Sequence, residues 1–298
     1  MFNPIWKALS NDEQEHIKKF ALQAFINEKD KTLLPKVTEA LVQIASNVFN
    51  IAPSDQNTSV WPDIITCAIS YASADSSQVE SFRLESGLRL IEGIFGYIYE
   101  SLSNTNNSQE IVHLISKVGA YLYAKDLAIA TKAVKTVSEM TFYANKKELK
   151  AFKDFILQIM TVTLTCLNSG KENELKICCK AIIEMSSNNS SSLFKQHFAD
   201  LFILMGKISE KKNFDDDNLR ELGFEVIVNL VEMKPKFLSS DVEKLKTFIE
   251  ALYKYALGME AEITTDWSTP TQDSYFDEEF IYEKEVSTAI SFLERLID

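Results

Sequence analysis

The sequence predicts an all-α protein made of stacked helix pairs, and three observations support this. The chain of 298 residues contains only 8 glycines and 6 prolines, fewer than the turns of all-β or α/β folds usually require. Its apolar residues recur at helical spacing, and no stretch sustains the alternation of a strand. The predicted helices fall into consecutive pairs of about 40 to 50 residues, the period of HEAT and armadillo arrays. The predicted fold is therefore a HEAT-repeat solenoid.

The helical spacing is clearest in the segment "LESGLRLIEGIFGYI". Its apolar residues recur at steps of four and three, which places them on one face of a helix. Two further segments repeat this spacing, at 111–122 and 242–256. The positions in the three segments are Leu84, Leu88, Ile91, Phe95 and Ile98; Ile111, Leu114, Ile115, Val118 and Leu122; and Val242, Leu245, Ile249, Leu252 and Ala256.

Breaks between helices are marked by residues that cap helices or stop them. Asn and Ser cluster in "SNTNNSQE", "NSGKENE" and "MSSNNSSS", and their side chains favour helix ends. Pro62 follows Trp61 at a predicted helix start, where a missing amide donor costs nothing. The predicted helices are 11–27, 33–51, 61–73, 78–101, 108–124, 126–143, 147–168, 172–187, 191–208, 216–233, 240–259 and 280–297. These twelve helices form six pairs, which we expect to stack into a right-handed superhelix, a single array over residues 1–298.

Charge and hydropathy limit the partners. The formal net charge is −12 and the isoelectric point is about 4.9, so nucleic acid and anionic membrane surfaces are disfavoured and basic proteins fit better. The N-terminal segment lacks the pattern of a signal peptide, and no apolar run approaches the roughly 18 residues that span a bilayer. We therefore expect a cytosolic or nuclear protein.

No cofactor, metal or catalytic site is predicted. The four cysteines show no CxxC spacing or disulfide pattern and fit small core residues. The three histidines are far apart in sequence and lack metal-ligand spacing. These residues are Cys67, Cys166, Cys178 and Cys179, and His16, His113 and His197.

The segment "LRELGFEVIVNLVEM" has the pattern of a HEAT second helix. Arg220 follows an acidic run that ends at Asp217, and the small Gly223 precedes buried apolar positions. In HEAT arrays an Asp and an Arg at these places form a ladder that satisfies loop carbonyls and fixes the stacking. In "VESFRLESGLRLIEGIFG" the arginine position is Leu84, with Arg83 shifted by one, which predicts an interrupted ladder.

An ordered series of segments resembles the karyopherin-β (importin-β) nuclear transport receptors, most closely the importin-5 branch. "WPDIITCAISYASADSSQVESFRLESGLRLIEGIFG" is similar to one complete repeat of that family. "LFKQHFADLF" resembles a later first helix, and "LRELGFEVIVNLVEMKP" the second helix of the following pair. The resemblance implies a section from the N-terminal half of a longer array, after its first repeats, which supply much of the family's Ran-binding surface.

The resemblance implies a function in nuclear import without catalysis. Receptors of this family carry protein cargo with basic localisation signals, release it to Ran-GTP, contact nucleoporins and shuttle between cytoplasm and nucleus. Acidic residues on their second helices line a concave surface that holds basic segments. The corresponding residues here are Glu85, Glu92, Glu139, Glu184, Glu221 and Glu225. Each of them could equally be a solvated surface glutamate.

The segment "GMEAEITTDWSTPTQDSYFDEEF" has seven acidic residues and no lysine, arginine or histidine. It resembles the family's acidic inter-helix loop, placed here at 260–279 within the last repeat. The resemblance implies contact with Ran or basic cargo, and clustered carboxylates raise the on-rate of basic partners. The candidate contacts are Asp266, Trp267, Asp273, Asp277, Glu278 and Glu279. The alternative is an insertion whose charges only keep it solvated.

Two other classes of function compete with transport. A HEAT scaffold or adaptor subunit unrelated to transport would share the fold. An enzyme would need the carboxylates of "DEEF" held rigidly in a pocket, whereas they lie in the segment with the weakest helical pattern. The enzyme class is therefore disfavoured.

Overall fold

The structure is a computed structural model that describes residues 3–49, 61–74, 79–104, 108–187, 189–211, 214 and 218–233, with single positions at 246, 250 and 291. Twelve α-helices have bounds within these residues, and the chain divides into two compact units, Met1–Val162 and Thr163–Asp298. The helices are α1 Asn3–Ala8, α2 Asn11–Asn27, α3 Leu34–Phe49, α4 Pro62–Ala72, α5 Ser81–Asn104, α6 Ser108–Ala120, α7 Leu127–Tyr143, α8 Leu149–Phe152, α9 Ile156–Asn168, α10 Glu172–Ser187, α11 Phe198–Glu210 and α12 Asn218–Met233.

The first unit is a stack of helix pairs. Helices α2 and α3, α4 and α5, and α6 and α7 pack against each other within pairs. The second helices α3, α5 and α7 also pack in a row, and so do the first helices α4, α6 and α8. In the second unit, α12 packs against both α10 and α11. The helices α3, α5, α7 and α12 thus bury their apolar faces against their own partners and against a neighbouring pair.

The apolar faces predicted for α5 and α6 are confirmed. Every predicted position on α5, from Leu84 to Ile98, is at most 2% exposed, and the five positions from Ile111 to Leu122 are at most 3% exposed. The face predicted at 242–256 lies outside the described residues. Helical spacing alone therefore identified core-facing residues in these two segments.

Polar caps set the starts of two helices, and a glycine ends a third. Ser10 and Glu13 form a capping box at the start of α2, with the Ser10 amide donating to Glu13 Oε2 at 2.8 Å. The Asp126 carboxylate accepts from the Ala128 amide at the start of α7. After α9, Gly170 takes a φ of +64°, and the Lys171 amide donates to the Cys166 carbonyl at 3.0 Å. The left-handed glycine closes the helix within the predicted break "NSGKENE".

The single helix predicted at 147–168 is wrong, because a 3₁₀ turn at Lys153–Phe155 separates α8 from α9. In 3₁₀ geometry residues three apart lie on the same side. The Phe152 and Phe155 rings can therefore turn to the same side, where they meet edge to face at 6.4 Å. Phe155 lies against the backbone at Gly119 of α6, a contact across helices that the local sequence does not show.

Two other boundaries differ from the prediction. The helix predicted at 191–208 is a 3₁₀ segment, Asn189–Gln196, followed by α11. A run of serines is unfavourable in the interior of an α-helix, because a serine side chain can bond to nearby backbone instead. Helix α1 was not predicted, and Gln14 Nε2 holds it by donating to the carbonyls of Trp6 and Leu9. The predicted helices at 240–259 and 280–297 lie outside the described residues.

The cysteines occupy the positions expected of core residues. Cys166, Cys178 and Cys179 are fully buried free thiols, and Cys67 is half-buried. In the part of the chain that the structure describes, no group of His, Cys, Asp or Glu side chains could hold a metal ion. None of the helices there is long and apolar enough to cross a membrane.

Candidate functional site

A strip of charged side chains runs across the second helices α3, α5 and α7 of the first unit. On α5, Glu85, Arg89 and Glu92 follow the steps of four and three that place them on one face, beside the buried Leu84, Leu88 and Ile91. We call this set the charged strip. It consists of Glu39 on α3, Glu85, Arg89 and Glu92 on α5, and Lys132, Lys135 and Glu139 on α7.

Arg89 links α3 to α5 at one end of the strip. Its Nη1 lies 3.3 Å from Glu39 Oε1, and its Nη2 lies 3.6 Å from Glu85 Oε1. The side chains of Glu39, Glu85 and Arg89 are 69%, 39% and 31% exposed. Ion pairs this exposed contribute about 0–1 kcal/mol each to stability, so this end of the strip can exchange partners at little cost.

Glu92 links α5 to α7 in a much less exposed pair. Its carboxylate contacts Lys132 Nζ and lies 2.9 Å from Lys135 Nζ. The side chains of Glu92 and Lys132 are only 16% and 11% exposed. Burial lowers the pKa of Lys132, while the Glu92 carboxylate acts in the opposite direction. The pair is therefore less screened by solvent than the pairs of Arg89, and loss of either partner would leave a poorly solvated charge.

The strip is almost balanced in charge, which corrects one sequence prediction. It contains four acids and three bases, and Glu92, predicted as an exposed acid, is half-buried and bound to two lysines. Spacing identified the face of α5, but the lysine partners come from a helix 40 residues further along the chain. As a result, this face does not present a surplus of carboxylates to a basic segment.

The remaining predicted acids differ in exposure. Glu139 bonds to Tyr143 on the same helix, and burial raises the pKa of Tyr143, with the Glu139 charge adding to it. In the second unit, Glu184 on α10 is exposed, whereas Glu221 and Glu225 on α12 are half-buried. The structure thus brings Glu85, Glu92 and Glu139 into one strip, and each unit holds three of the six candidates.

The predicted arginines bind backbone carbonyls at helix ends. Arg220 Nε donates to the Ser209 carbonyl of α11 at 3.0 Å, and its predicted partner Asp217 lies outside the described residues. Arg83 donates to the carbonyls of Ile26 and Glu28, at 3.1 and 2.5 Å, where α2 ends. Although shifted by one in sequence, Arg83 joins two successive helix pairs, a role that the spacing did not indicate.

We expect Arg83→Lys to lower the free energy of unfolding by about 1 kcal/mol, because one ammonium cannot reproduce the guanidinium's two separate hydrogen bonds. Chemical denaturation measures the change. Arg89→Lys is the matched control, since its exposed ion pairs tolerate an ammonium and we expect less than about 0.5 kcal/mol. Equal effects of the two substitutions would contradict the role assigned to Arg83.

The predicted acidic loop at 260–279, with Asp266, Trp267, Asp273, Asp277, Glu278 and Glu279, lies outside the described residues. Its assignment rests on the sequence alone and stays a prediction.

Comparison with known proteins agrees with this architecture. The profile of a family described as IPO5-like, TPR repeats, matches residues 29–204. No individual curated protein matches the chain at a significant level. First helices begin at Asn11, Pro62, Ser108, Leu149 and Phe198, so successive repeats start 41 to 51 residues apart. This spacing is nearer the HEAT period than the TPR period of about 34 residues.

Solved structures share the fold at low sequence identity. The karyopherin Kap121p bound to Nup53p matches with a TM-score of 0.67 and 15% identity, over 97% of this chain and 26% of that chain. Kap121p bound to RanGTP matches with a TM-score of 0.65 and 15% identity, over 97% and 25%. An engineered protein matches with a TM-score of 0.54 and 12% identity, over 94% and 97%.

These matches confirm the predicted all-α HEAT-repeat solenoid. The chain spans about a quarter of the length of the Kap121p chains that it resembles. The family profile covers more than half of the 298 residues. The chain therefore belongs to the IPO5-like family of helical-repeat proteins.

Proposed function

We propose that the chain is a section of a nuclear transport receptor. It binds protein cargo with basic localisation signals, responds to Ran-GTP, and shuttles between cytoplasm and nucleus. The observation that carries this proposal is the family match over residues 29–204, together with the fold that 97% of the chain shares with Kap121p. Kap121p has been solved with Nup53p and with RanGTP, which supports a nucleoporin and Ran as partners.

The charges of the chain indicate where a basic segment binds. The charged strip on α3, α5 and α7 is nearly neutral, so it offers a basic segment little net attraction. Residues 258–280, by contrast, hold seven acids and no base. We therefore assign the main attraction for basic segments to the acidic loop, with Glu184 as a further exposed acid.

Exposed apolar side chains offer a second kind of contact, which we assign to the nucleoporin. Several helices expose large apolar side chains: Phe20 on α2 is 69% exposed, Val112 on α6 is 36% exposed, and Leu157 on α9 is 58% exposed. These side chains are our candidates for that contact. The proposed function involves binding alone and assigns no residue to catalysis.

A binding competition tests the proposal. The full-length protein that contains this chain is immobilised and given a labelled basic localisation peptide, followed by Ran loaded with a non-hydrolysable GTP analogue or with GDP. We expect the GTP form to displace the peptide and the GDP form to leave it bound. A scaffold unrelated to transport would hold neither the peptide nor Ran, or would hold its ligands regardless of the nucleotide.

The acidic loop makes a separate prediction. Combined replacement of Asp266, Asp273, Asp277, Glu278 and Glu279 by Asn or Gln should slow association of the basic peptide more than it speeds dissociation. The reason is that exposed charges steer encounter more than they hold a complex. Binding to the unaltered chain should also weaken steeply as salt rises to physiological strength. Stopped-flow fluorescence gives both rates.

Substitution of Trp267 tests whether the loop holds the bound peptide as well as attracting it. Trp267→Ala should raise the dissociation rate if the indole stacks on a basic side chain of the peptide. Glu100→Gln provides a control that removes one exposed acid outside the loop. If neutralising the five loop acids leaves both rates and the salt dependence unchanged, the loop is a solvated insertion.

A further inference from the structure

A row of lysines follows α7 on a short helical segment of the first unit. The Leu149 amide donates to the Asn145 carbonyl at 2.9 Å, and the Ala151 amide donates to the Glu148 carbonyl at 2.9 Å. The backbone is thus wound helically from Asn145 onward, and it continues through α8 into the 3₁₀ turn. Residues three and four apart then lie on the same side. We call the four exposed lysines of this segment the lysine patch: Lys146, Lys147, Lys150 and Lys153.

The acids within the segment do not neutralise the patch. Glu148 is 2% exposed, and its carboxylate accepts from the Asn145 amide at 2.9 Å and bonds to the Tyr99 hydroxyl. Asp154 is the only exposed acid between residues 145 and 155. Among the described residues, none of the four lysines forms an ion pair. Four like charges therefore share about two helical turns, where each pair one turn apart is mildly repulsive.

The backbone beneath the patch is well anchored. Asn145 Oδ1 accepts from the amides of Lys147 and Glu148, at 2.9 and 3.1 Å. Leu149 and Phe152 are buried on the opposite side of the same segment. The lysines thus project from a fixed helical segment. The spacing of their Cα atoms is therefore already set in the unbound chain.

We infer that the lysine patch is a docking surface for a short acidic segment of a partner protein. The rise from Lys146 to Lys153 is about 10 Å, which three or four residues of an extended peptide cover. Carboxylates on such a peptide complement the patch in charge and relieve the repulsion among the lysines. A long nucleic acid fits less well, because it would also face the rest of a chain whose net charge is −12.

The test measures binding of a fluorescein-labelled hexaglutamate peptide to the full chain by fluorescence anisotropy, with hexaglutamine as the neutral probe. One variant carries Lys146→Gln, Lys147→Gln, Lys150→Gln and Lys153→Gln together. The control variant carries Lys19→Gln, Lys29→Gln, Lys31→Gln and Lys36→Gln, which removes four equally exposed lysines interleaved with Glu28, Asp30 and Glu39. The two variants therefore have the same net charge.

We expect hexaglutamate to bind, hexaglutamine not to bind, and the patch variant to weaken binding by roughly tenfold or more, while the control variant changes it by less than about twofold. Equal losses in the two variants would show general electrostatic attraction and overturn the inference. It would also be overturned if hexaglutamate failed to bind, or if only a single-stranded RNA oligonucleotide bound through these lysines. Both variants should keep the helical fold, because all the replaced side chains are exposed. Circular dichroism checks this.

Discussion

Glu92→Gln is expected to lower the free energy of unfolding by about 2–3 kcal/mol. The substitution leaves Lys132, whose side chain is 11% exposed, without its counter-charge between α5 and α7. Removing one partner of a poorly solvated ion pair costs more than the pair contributes, because the remaining charge is still desolvated. Urea denaturation followed by circular dichroism measures the change.

Two further variants show whether the unpaired charge of Lys132 causes the loss of stability. Glu85→Gln removes an acid of the same strip that is 39% exposed and lies 3.6 Å from Arg89, and should cost less than about 0.5 kcal/mol. Adding Lys132→Met to Glu92→Gln should recover most of the lost stability, since no desolvated charge then remains. If the double variant is no more stable than Glu92→Gln alone, the explanation is wrong.

Gly223→Ala is expected to lower the free energy of unfolding by about 1–3 kcal/mol. A Cβ at Gly223 of α12 would lie 2.5 Å from Ser209 Oγ and 3.0 Å from the Met205 carbonyl oxygen of α11. A backbone carbonyl cannot turn aside as a flexible side chain can, so the two helices would have to separate. Thermal unfolding followed by circular dichroism measures the change.

The same helix pair supplies a control substitution that should increase the free energy of unfolding. Gly206 lies within α11, and a Cβ added there would meet no atom within 4 Å. Gly206→Ala should therefore raise the free energy of unfolding by about 0.5–1 kcal/mol, because alanine favours a helix more than glycine does. Destabilisation by both substitutions would mean that the packing at Gly223 is not the cause.

Helix faces could be predicted from the sequence because they depend on residues three and four apart. The spacing from Leu84 to Ile98 identified the buried side of α5, and the same steps placed Glu85 and Glu92 on the polar side. The 3₁₀ turn at Lys153–Phe155 could not be predicted in this way. Its last residue, Phe155, packs against Gly119 of another helix, a contact that spacing within the segment does not show.

The chemistry of the candidate site was less predictable for a related reason. Whether Glu92 attracts a basic partner depends on Lys132 and Lys135, and nothing near Glu92 in sequence shows that these lysines reach it. Arg83 likewise acts on carbonyls more than 50 residues away. Residue type and local spacing identify a polar face, but its net charge is set by the stacking of the pairs.

The burial of the cysteines has a practical consequence for labelling. Burial raises the pKa of Cys67 to about 11 and that of Cys179 to about 12, and a hydrogen bond to Cys166 together with burial raises the pKa of Cys178. At neutral pH these thiols are therefore almost entirely protonated, whereas the thiolate is the form that maleimides attack. A maleimide fluorophore should therefore react with a single cysteine introduced on an exposed helix face. The four native cysteines would not have to be replaced for such labelling.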